Sequence, residues 1–220
     1  MFESSPMPVP KLSEQLSGIH QLSAFSAALQ AVDASVPGSF TYEDALVFSA
    51  LINAQSIRGD MLEIGVLNGK TAAVLALCLR SAETLHLCDL FETEIAGVND
   101  AYKRHPSADE VRANVLRAAP GATIVLHELN STALQMPEAS VRFIHIDGDH
   151  GLAGCLADLR NSWRWLSPGG LVAVDDYAHP DWPDVERAVS EFRHETPDAV
   201  EVIDYNRRGA KGRKIVFAKT

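Results

Sequence analysis

Residues 143–177, FIHIDGDHGLAGCLADLRNSWRWLSPGGLVAVDDY, admit very few folds. Residues 141–146 form a largely apolar, β-branched run that halts at Asp147, Gly148, Asp149 and His150. Residues 151–166 repeat apolar side chains at helical spacing: Leu152, Cys155, Leu156, Leu159, Trp163 and Leu166. Ser167-Pro168-Gly169-Gly170 breaks that helix, and residues 171–174 resume as a strand that ends at Asp175-Asp176. A strand–helix–strand unit of this length is a right-handed parallel crossover. Both acidic clusters then fall at the carboxyl edge of one sheet, where open α/β sheets bind their ligands.

Asp147, Asp175 and Asp176 would repel one another there. Such a cluster requires protonation, a cationic side chain or a hard metal ion. His150, three residues after Asp147, has a pKa range suited to proton transfer near neutrality. The competing reading is structural: Asp147 and Asp149 cap the next helix, and Asp175-Asp176 is a solvated loop. Paired placement at two strand ends favours a functional site over that reading.

The rest of the chain extends the alternation. Residues 12–32 and the segment after Thr41 carry helical spacing ahead of any strand, with Asp44 at the third helical position. Strands are expected at 61–65, 85–90 and 122–127, and helices at 69–79, 107–118 and 184–194. Ser107 and Glu110 form a capping box. A short helix is expected from Ser131 or Thr132 to Gln135. Residues 91–106 are long for a simple connection and read as a candidate lid or substrate loop. Residues 199–205 and 214–218 lie close enough to form a hairpin, so the last strand should be antiparallel. The expected fold is α/β and doubly wound. Its seven-stranded sheet is mostly parallel, with residues 1–58 as an N-terminal helical cap and residues 59–220 as the main domain.

Composition narrows the function. The chain has 220 residues, 46% of them hydrophobic, with 19 basic against 29 acidic residues and a net charge of −10. That balance argues against nucleic acid as a partner. The basic residues Arg207, Arg208, Lys211, Arg213 and Lys214 read as a solvated hairpin. Cys78, Cys88 and Cys155 each sit in an apolar stretch, form no CxxC pair, and read as buried thiols of a reducing compartment. The first residues show no basic-then-apolar leader pattern, and the apolar run at 72–79 is too short to span a bilayer. A cytoplasmic protein without membrane association is expected.

The first strand leads into Glu63-Ile64-Gly65-Val66-Leu67-Asn68-Gly69-Lys70-Thr71. Gly65 permits close approach to the backbone, and Gly69 gives a second approach or tight packing. The following helix N-terminus offers free N–H groups to an anion. The GxxxG spacing fits neither the GxGxxG dinucleotide fingerprint nor a P-loop. Asp89 ends the next strand about twenty residues on, where a carboxylate commonly bonds ribose hydroxyls. The site suits a nucleoside carrying a small anionic group.

With Glu63 and Asp89 flanking it, this turn resembles that of the Rossmann-like S-adenosylmethionine-dependent methyltransferases. The IDGDH and VAVDDY segments are similar to those of metal-dependent O-methyltransferases, most of all the macrocin-type sugar O-methyltransferases. The resemblance implies Asp147, Asp175 and Asp176 as ligands of a divalent metal, Mg²⁺ by default, and His150 as general base, with His179 as its rival. It further implies a cofactor site of Glu63, Gly65, Asn68, Gly69, Thr71, Asp89, Ser131 and Asp147, with Asn130 or Thr132 able to take the place of Ser131. The expected substrate is a small hydroxylated molecule, sugar or other secondary metabolite, and a homo-oligomer is compatible with the reading. A non-catalytic cofactor-binding scaffold has no need of three converging carboxylates. A nicotinamide-dependent oxidoreductase is disfavoured by the glycine spacing.

Overall fold

The structure, a computed structural model, describes residues 12–92, 105–207 and 209–220. Residues 1–11, most of the expected 91–106 loop, and Arg208 lie outside them. The elements are α1 (Leu12–Ser35), α2 (Tyr42–Ala54), β1 (Asp60–Ile64), α3 (Lys70–Leu77), β2 (Thr84–Asp89), α4 (Ala108–Ala118) and β3 (Thr123–Glu128). After a 3₁₀ turn (Ser131–Ala133) come β4 (Val141–Ile146), α5 (Leu152–Trp165), β5 (Leu166–Tyr177), α6 (Pro183–Glu195), β6 (Ala199–Tyr205) and β7 (Arg213–Lys219).

The strands form one seven-stranded sheet in the order β3-β2-β1-β4-β5-β7-β6. β1 pairs parallel with β2 and β4, and β4 pairs parallel with β5. β7 runs antiparallel to both its neighbours, as the hairpin predicts. Strand order reverses between β1 and β4, so their carboxyl ends border the crevice where such sheets take ligands.

Alternation along the strands divides the core. Met61, Leu85, Phe143 and Val216 face α2, α3 and α4 through Phe48, Ile52, Val74 and Val111. Leu62, Ile144, Val172 and Phe217 face α5 and α6 through Leu156, Leu159, Val189 and Phe192. Each such side chain contributes about 1.5–3 kcal/mol when fully buried. The N-terminal helices therefore share a core with the sheet, through Leu29, Val32, Phe48 and Ile52. Cys78, Cys88 and Cys155 are buried and free, and burial pushes their thiols up to about 11, 12 and 12. Among the described residues no helix is long and apolar enough to cross a membrane.

Both expected capping boxes are present, Thr41 with Asp44 and Ser107 with Glu110. One boundary differs. Ser167-Pro168-Gly169-Gly170 does not separate helix from strand, because β5 already begins at Leu166. Val141 pairs with Leu166 and Phe143 with Leu171, so these four residues bulge out of the ladder. Pro168 has no N–H to donate and Gly169 adopts φ 79°, both suited to a bulge.

At the amino edge of the sheet Arg142 is fully buried. Its Nε and Nη2 bond Glu83 at 2.9 and 2.7 Å, Nη1 bonds Gln55 Oε1 at 3.0 Å, and Nη2 also reaches the Cys78 carbonyl at 3.1 Å. Gln55 Nε2 returns a bond to the Arg142 carbonyl at 2.7 Å. This network clamps the end of α2 and the end of α3 to β4.

Candidate active site

The glycine turn is shaped by its own protein neighbours. Gly65 adopts φ 81°, and a Cβ there would sit 2.0 Å from the Asp147 carbonyl oxygen. The ends of β1 and β4 thus approach too closely for any side chain. Gly69 caps α3 at φ 77°, and its Cβ would meet Val111 at 3.1 Å, so it serves helix–helix packing against α4. Asp89 holds the turn: Oδ2 accepts from Val66 N at 2.6 Å and Leu67 N at 2.9 Å. Its Oδ1 accepts from Leu90 N at 2.6 Å and Phe91 N at 3.1 Å. The Asn68 carbonyl accepts from Asn114 at 3.0 Å, and Thr71 is buried. Lys70 turns away from the crevice to pair with Asp33 at 2.8 Å.

Beneath the turn lies a buried polar chain that the sequence did not announce. His145 stands within the apolar run of β4 and is fully buried. Its Nδ1 bonds Glu63 Oε1 at 3.1 Å, while Nε2 lies 3.6 Å from Asp175 Oδ2 without a hydrogen-bond partner. Burial pushes Glu63 up to about 7, outweighing His145. Burial acts the opposite way on His145, but Asp175 and Glu63 outweigh it and raise the imidazole to about 9. Asp175 is half-buried, and desolvation raises its carboxyl, yet Lys214 and His145 outweigh this and hold it well below the usual range. Lys214 Nζ donates to Asp175 Oδ2, and Asp175 Oδ1 accepts from Asp176 N at 2.8 Å.

Asp147, His150 and Asp176 make a second, more open group. His150 Nε2 lies 3.0 Å from Asp176 Oδ2 and 3.7 Å from Asp147 Oδ1, with no approach in hydrogen-bond geometry. The imidazole stacks on Trp182 at 4.7 Å and 17°. Burial lowers its pKa, but the two carboxylates outweigh that and push it up to about 10, so the proton stays on while both are bare. Burial and the charge of Asp175 raise Asp147.

The structure therefore brings His150 together with Asp147 and Asp176, and places Asp175 in a different group with His145; Asp147 belongs to both. Within each group the possible ligand atoms lie within 4.8 Å of one another. A cavity of about 160 Å³ opens beside them, lined by Asp175, Asp176, His179, Tyr205, Arg207 and Lys214. His179 Nδ1 accepts from Asp181 N at 3.1 Å, which leaves Nε2 as its remaining ring nitrogen. Asp149 Oδ1 accepts from Gly151 N at 2.7 Å in the turn before α5; the helix itself starts at Gly151 without a side-chain cap, so neither Asp147 nor Asp149 caps it as the structural reading supposed. Ser131 opens the 3₁₀ turn after β3, and Asn130 spends its Oδ1 on Thr132 N at 2.9 Å and Thr132 Oγ1 at 2.6 Å.

Sequence reasoning missed His145 and Trp182, and it read Lys214 as part of a solvated hairpin, whereas the pairing of β7 with β5 buries that lysine against Asp175. A histidine inside a fully buried strand is a detectable oddity, but nothing local tells of its partners. It also missed Asp158 on α5, fully buried with neither oxygen bonded.

A family model described as a methyltransferase domain matches residues 62–177, from β1 to the end of β5. No curated protein matches the chain. The solved O-methyltransferase NovP is similar at 18% identity and TM-score 0.66, over 91% of this chain and 98% of that one. A Corynebacterium glutamicum protein gives 14% identity and TM-score 0.63, over 95% and 97%. CalS11, a TDP-rhamnose 3′-O-methyltransferase of calicheamicin biosynthesis, gives 16% and 0.56, over 90% and 94%. At these identities the likeness is one of fold. The family match spans more than half of the chain and both walls of the crevice, and on that ground the chain belongs to the methyltransferase-domain family and is an S-adenosylmethionine-dependent methyltransferase.

Proposed function

We propose that this enzyme methylates a hydroxyl of a small polar molecule, with a divalent ion at the carboxyl edge of β4 and β5 and His150 as the proton acceptor. One observation carries the reading: Asp147, His150 and Asp176 converge at the crevice, beside an open polar cavity. The donor set fits a divalent ion. Oxygens of Asp147 and Asp176 converge within 4.8 Å of one another, with the His150 imidazole as the cation they share, a charge that an ion can replace. Asp147 and Asp176 would hold the ion, with Asp175 the third carboxylate of the same edge; Mg²⁺ suits oxygen donors. Bound there, it supplies acidification of a coordinated hydroxyl.

S-adenosylmethionine supplies an electrophilic methyl group. Glu63, Gly65, Asn68, Gly69, Thr71, Asp89, Ser131 and Asp147 are its proposed site. The α3 N-terminus after Gly69 offers free N–H groups to the methionine carboxylate. Asp89 preorganises the turn by fixing four backbone N–H groups, two of them on Val66 and Leu67. With the charge of Asp147 and Asp176 neutralised by the ion, His150 would lose the proton that those bare carboxylates hold on it and would then take the hydroxyl proton at Nε2; stacking on Trp182 fixes the ring plane. No covalent enzyme intermediate is needed. The acceptor is proposed to lie in the cavity lined by His179, Tyr205 and Arg207, whose polar walls suit a hydroxylated metabolite such as a sugar.

Calorimetric titration with S-adenosylmethionine, followed by transfer assays with labelled donor and a panel of hydroxylated acceptors, tests this. Binding is expected, and transfer is expected to stop in excess chelator and return with Mg²⁺. Full transfer after metal stripping would overturn the metal assignment.

A further inference from the structure

Asp175 and Asp176 are neighbours in sequence, yet their side chains part. The cause is a register shift between β5 and β7. Val174 pairs with Ile215 and Tyr177 with Arg213, so Asp175 and Asp176 together oppose Lys214 alone. Asp176 takes φ 53°, as a bulge at this point requires. One carboxylate is thereby sent to His150 and the other to Lys214 and His145.

Lys214 is not a surface lysine that happens to lie nearby. It is 9% exposed, its ammonium lies 5.6 Å from the centre of the Phe40 ring, and it bonds Asp175 Oδ2. The other Asp175 oxygen accepts from Asp176 N at 2.8 Å. Asp175 therefore already has a full unit of positive charge on one oxygen and a backbone donor on the other. Asp147 and Asp176 have only His150 in common.

We infer that Lys214 is a resident cation for Asp175: it withholds that carboxylate from an incoming divalent ion, which is carried by Asp147 and Asp176 and must bind against the field of the ammonium. Asp175 is then a positioning residue that aligns the bulge and His145. The repulsion is direct, because two positive charges sharing a poorly solvated edge interact strongly. The inference rests on the metal reading proposed above, and it replaces the even-handed use of three carboxylates with an unequal one.

Mn²⁺ binding to the cofactor-free protein, followed by the electron paramagnetic resonance signal of the free ion, tests it without any assay of activity. Asp176→Asn should weaken binding by about 10-fold or more, the scale on which metal-site partners act. Asp175→Asn made together with Lys214→Met, so that the carboxylate and its ammonium leave together, should change it by less than about 3-fold. Lys214→Met, similar in length and uncharged, should tighten binding by about 10-fold, and Lys214→Arg should restore the wild-type value. The comparison of that paired variant with Asp176→Asn stands even if Lys214→Met alone, which strands the Asp175 carboxylate, fails to fold. Equal losses in those two variants would overturn the inference while leaving the metal reading intact, since Asp175 would then be an ordinary ligand. Unchanged affinity in a folded Lys214→Met protein would overturn it as well. No Mn²⁺ binding by the wild type or any folded variant at millimolar ion would overturn the metal reading itself, and the inference with it.

Discussion

Strand β4 carries a fully buried cation-forming side chain near each end, and the two are treated differently. Arg142, near its start, meets the Glu83 carboxylate through two nitrogens and spends the rest of its fork on Gln55 and the Ile52 and Cys78 carbonyls. Those bonds outweigh burial and hold the Glu83 carboxyl below its usual value. His145, near its end, bonds Glu63 but leaves its own Nε2 and Glu63 Oε2 without partners. A buried ion pair that only holds a fold together is best saturated, since each unmet group costs about 1–3 kcal/mol. The carboxyl end leaves such groups unmet beneath the crevice. The amino end is saturated, and the carboxyl end gives up stability next to the site proposed above.

The contrast is strongest if activity can be removed without touching the fold. His150→Ala should lose about 10²–10⁴-fold in turnover, the worth of a positioned base, with S-adenosylmethionine affinity and melting temperature retained. His179→Ala should lose much less. If saturating-substrate turnover falls in the His179 variant instead, the base is misassigned and the open end of β4 has been read from the wrong histidine.

Breaking the other end should do the reverse. Arg142→Met leaves Glu83 buried without its partner and should cost about 3–5 kcal/mol, read as a lower denaturant midpoint. A second substitution, Glu83→Leu, should recover much of the loss, because an apolar pair avoids the stranded charge. Absence of recovery would mean that Arg142 acts through its bonds to backbone carbonyls rather than through Glu83.

Asp158 tests what a buried carboxyl costs on the α5 side of the crevice, next to Ser131. Burial, aided by the charge of Asp149 and opposed by Ser131, raises it to about 6. The native state then holds this proton more tightly than the unfolded chain does. Its contribution is complete below about pH 4, is lost as pH rises towards 6, and stays flat above. A displacement of this size is worth about 3 kcal/mol. Urea unfolding of the wild type and of Asp158→Asn at pH 4.5 and 7 should show a larger loss of stability in the wild type, the difference between the two proteins being the part due to Asp158, since Glu63 and Asp147 titrate in both. The smallest effect is expected from Glu63→Gln, which keeps an acceptor for His145 and removes a carboxyl that burial disfavours. Its unfolding free energy should move by about 1 kcal/mol or less. A loss as large as that of Arg142→Met would erase the distinction between the two ends.

Local sequence carried what depends on short-range rules. Period-2 and period-3.6 apolar patterns gave the alternation of strands and helices. Thr41, Asp44, Ser107 and Glu110 marked two helix starts through capping chemistry. The halt of two apolar runs at Asp147 and at Asp175-Asp176 located the crevice, because a parallel crossover must bring both strand ends to one edge. Tertiary structure decided the partners. Lys214 meets Asp175 only because β7 inserts beside β5 with a two-for-one bulge, a register that neither strand states by itself. Gly65 is required by the Asp147 backbone, 82 positions further along the chain in numbering but adjacent across β1 and β4. His145 finds Glu63 across that same pair of strands. The sequence by itself therefore determined the fold and the sheet edge at which the two acidic clusters meet. Which carboxylates stand bare and which are already paired was set by strand register, since a displacement of one residue sends a side chain to the opposite face of the sheet.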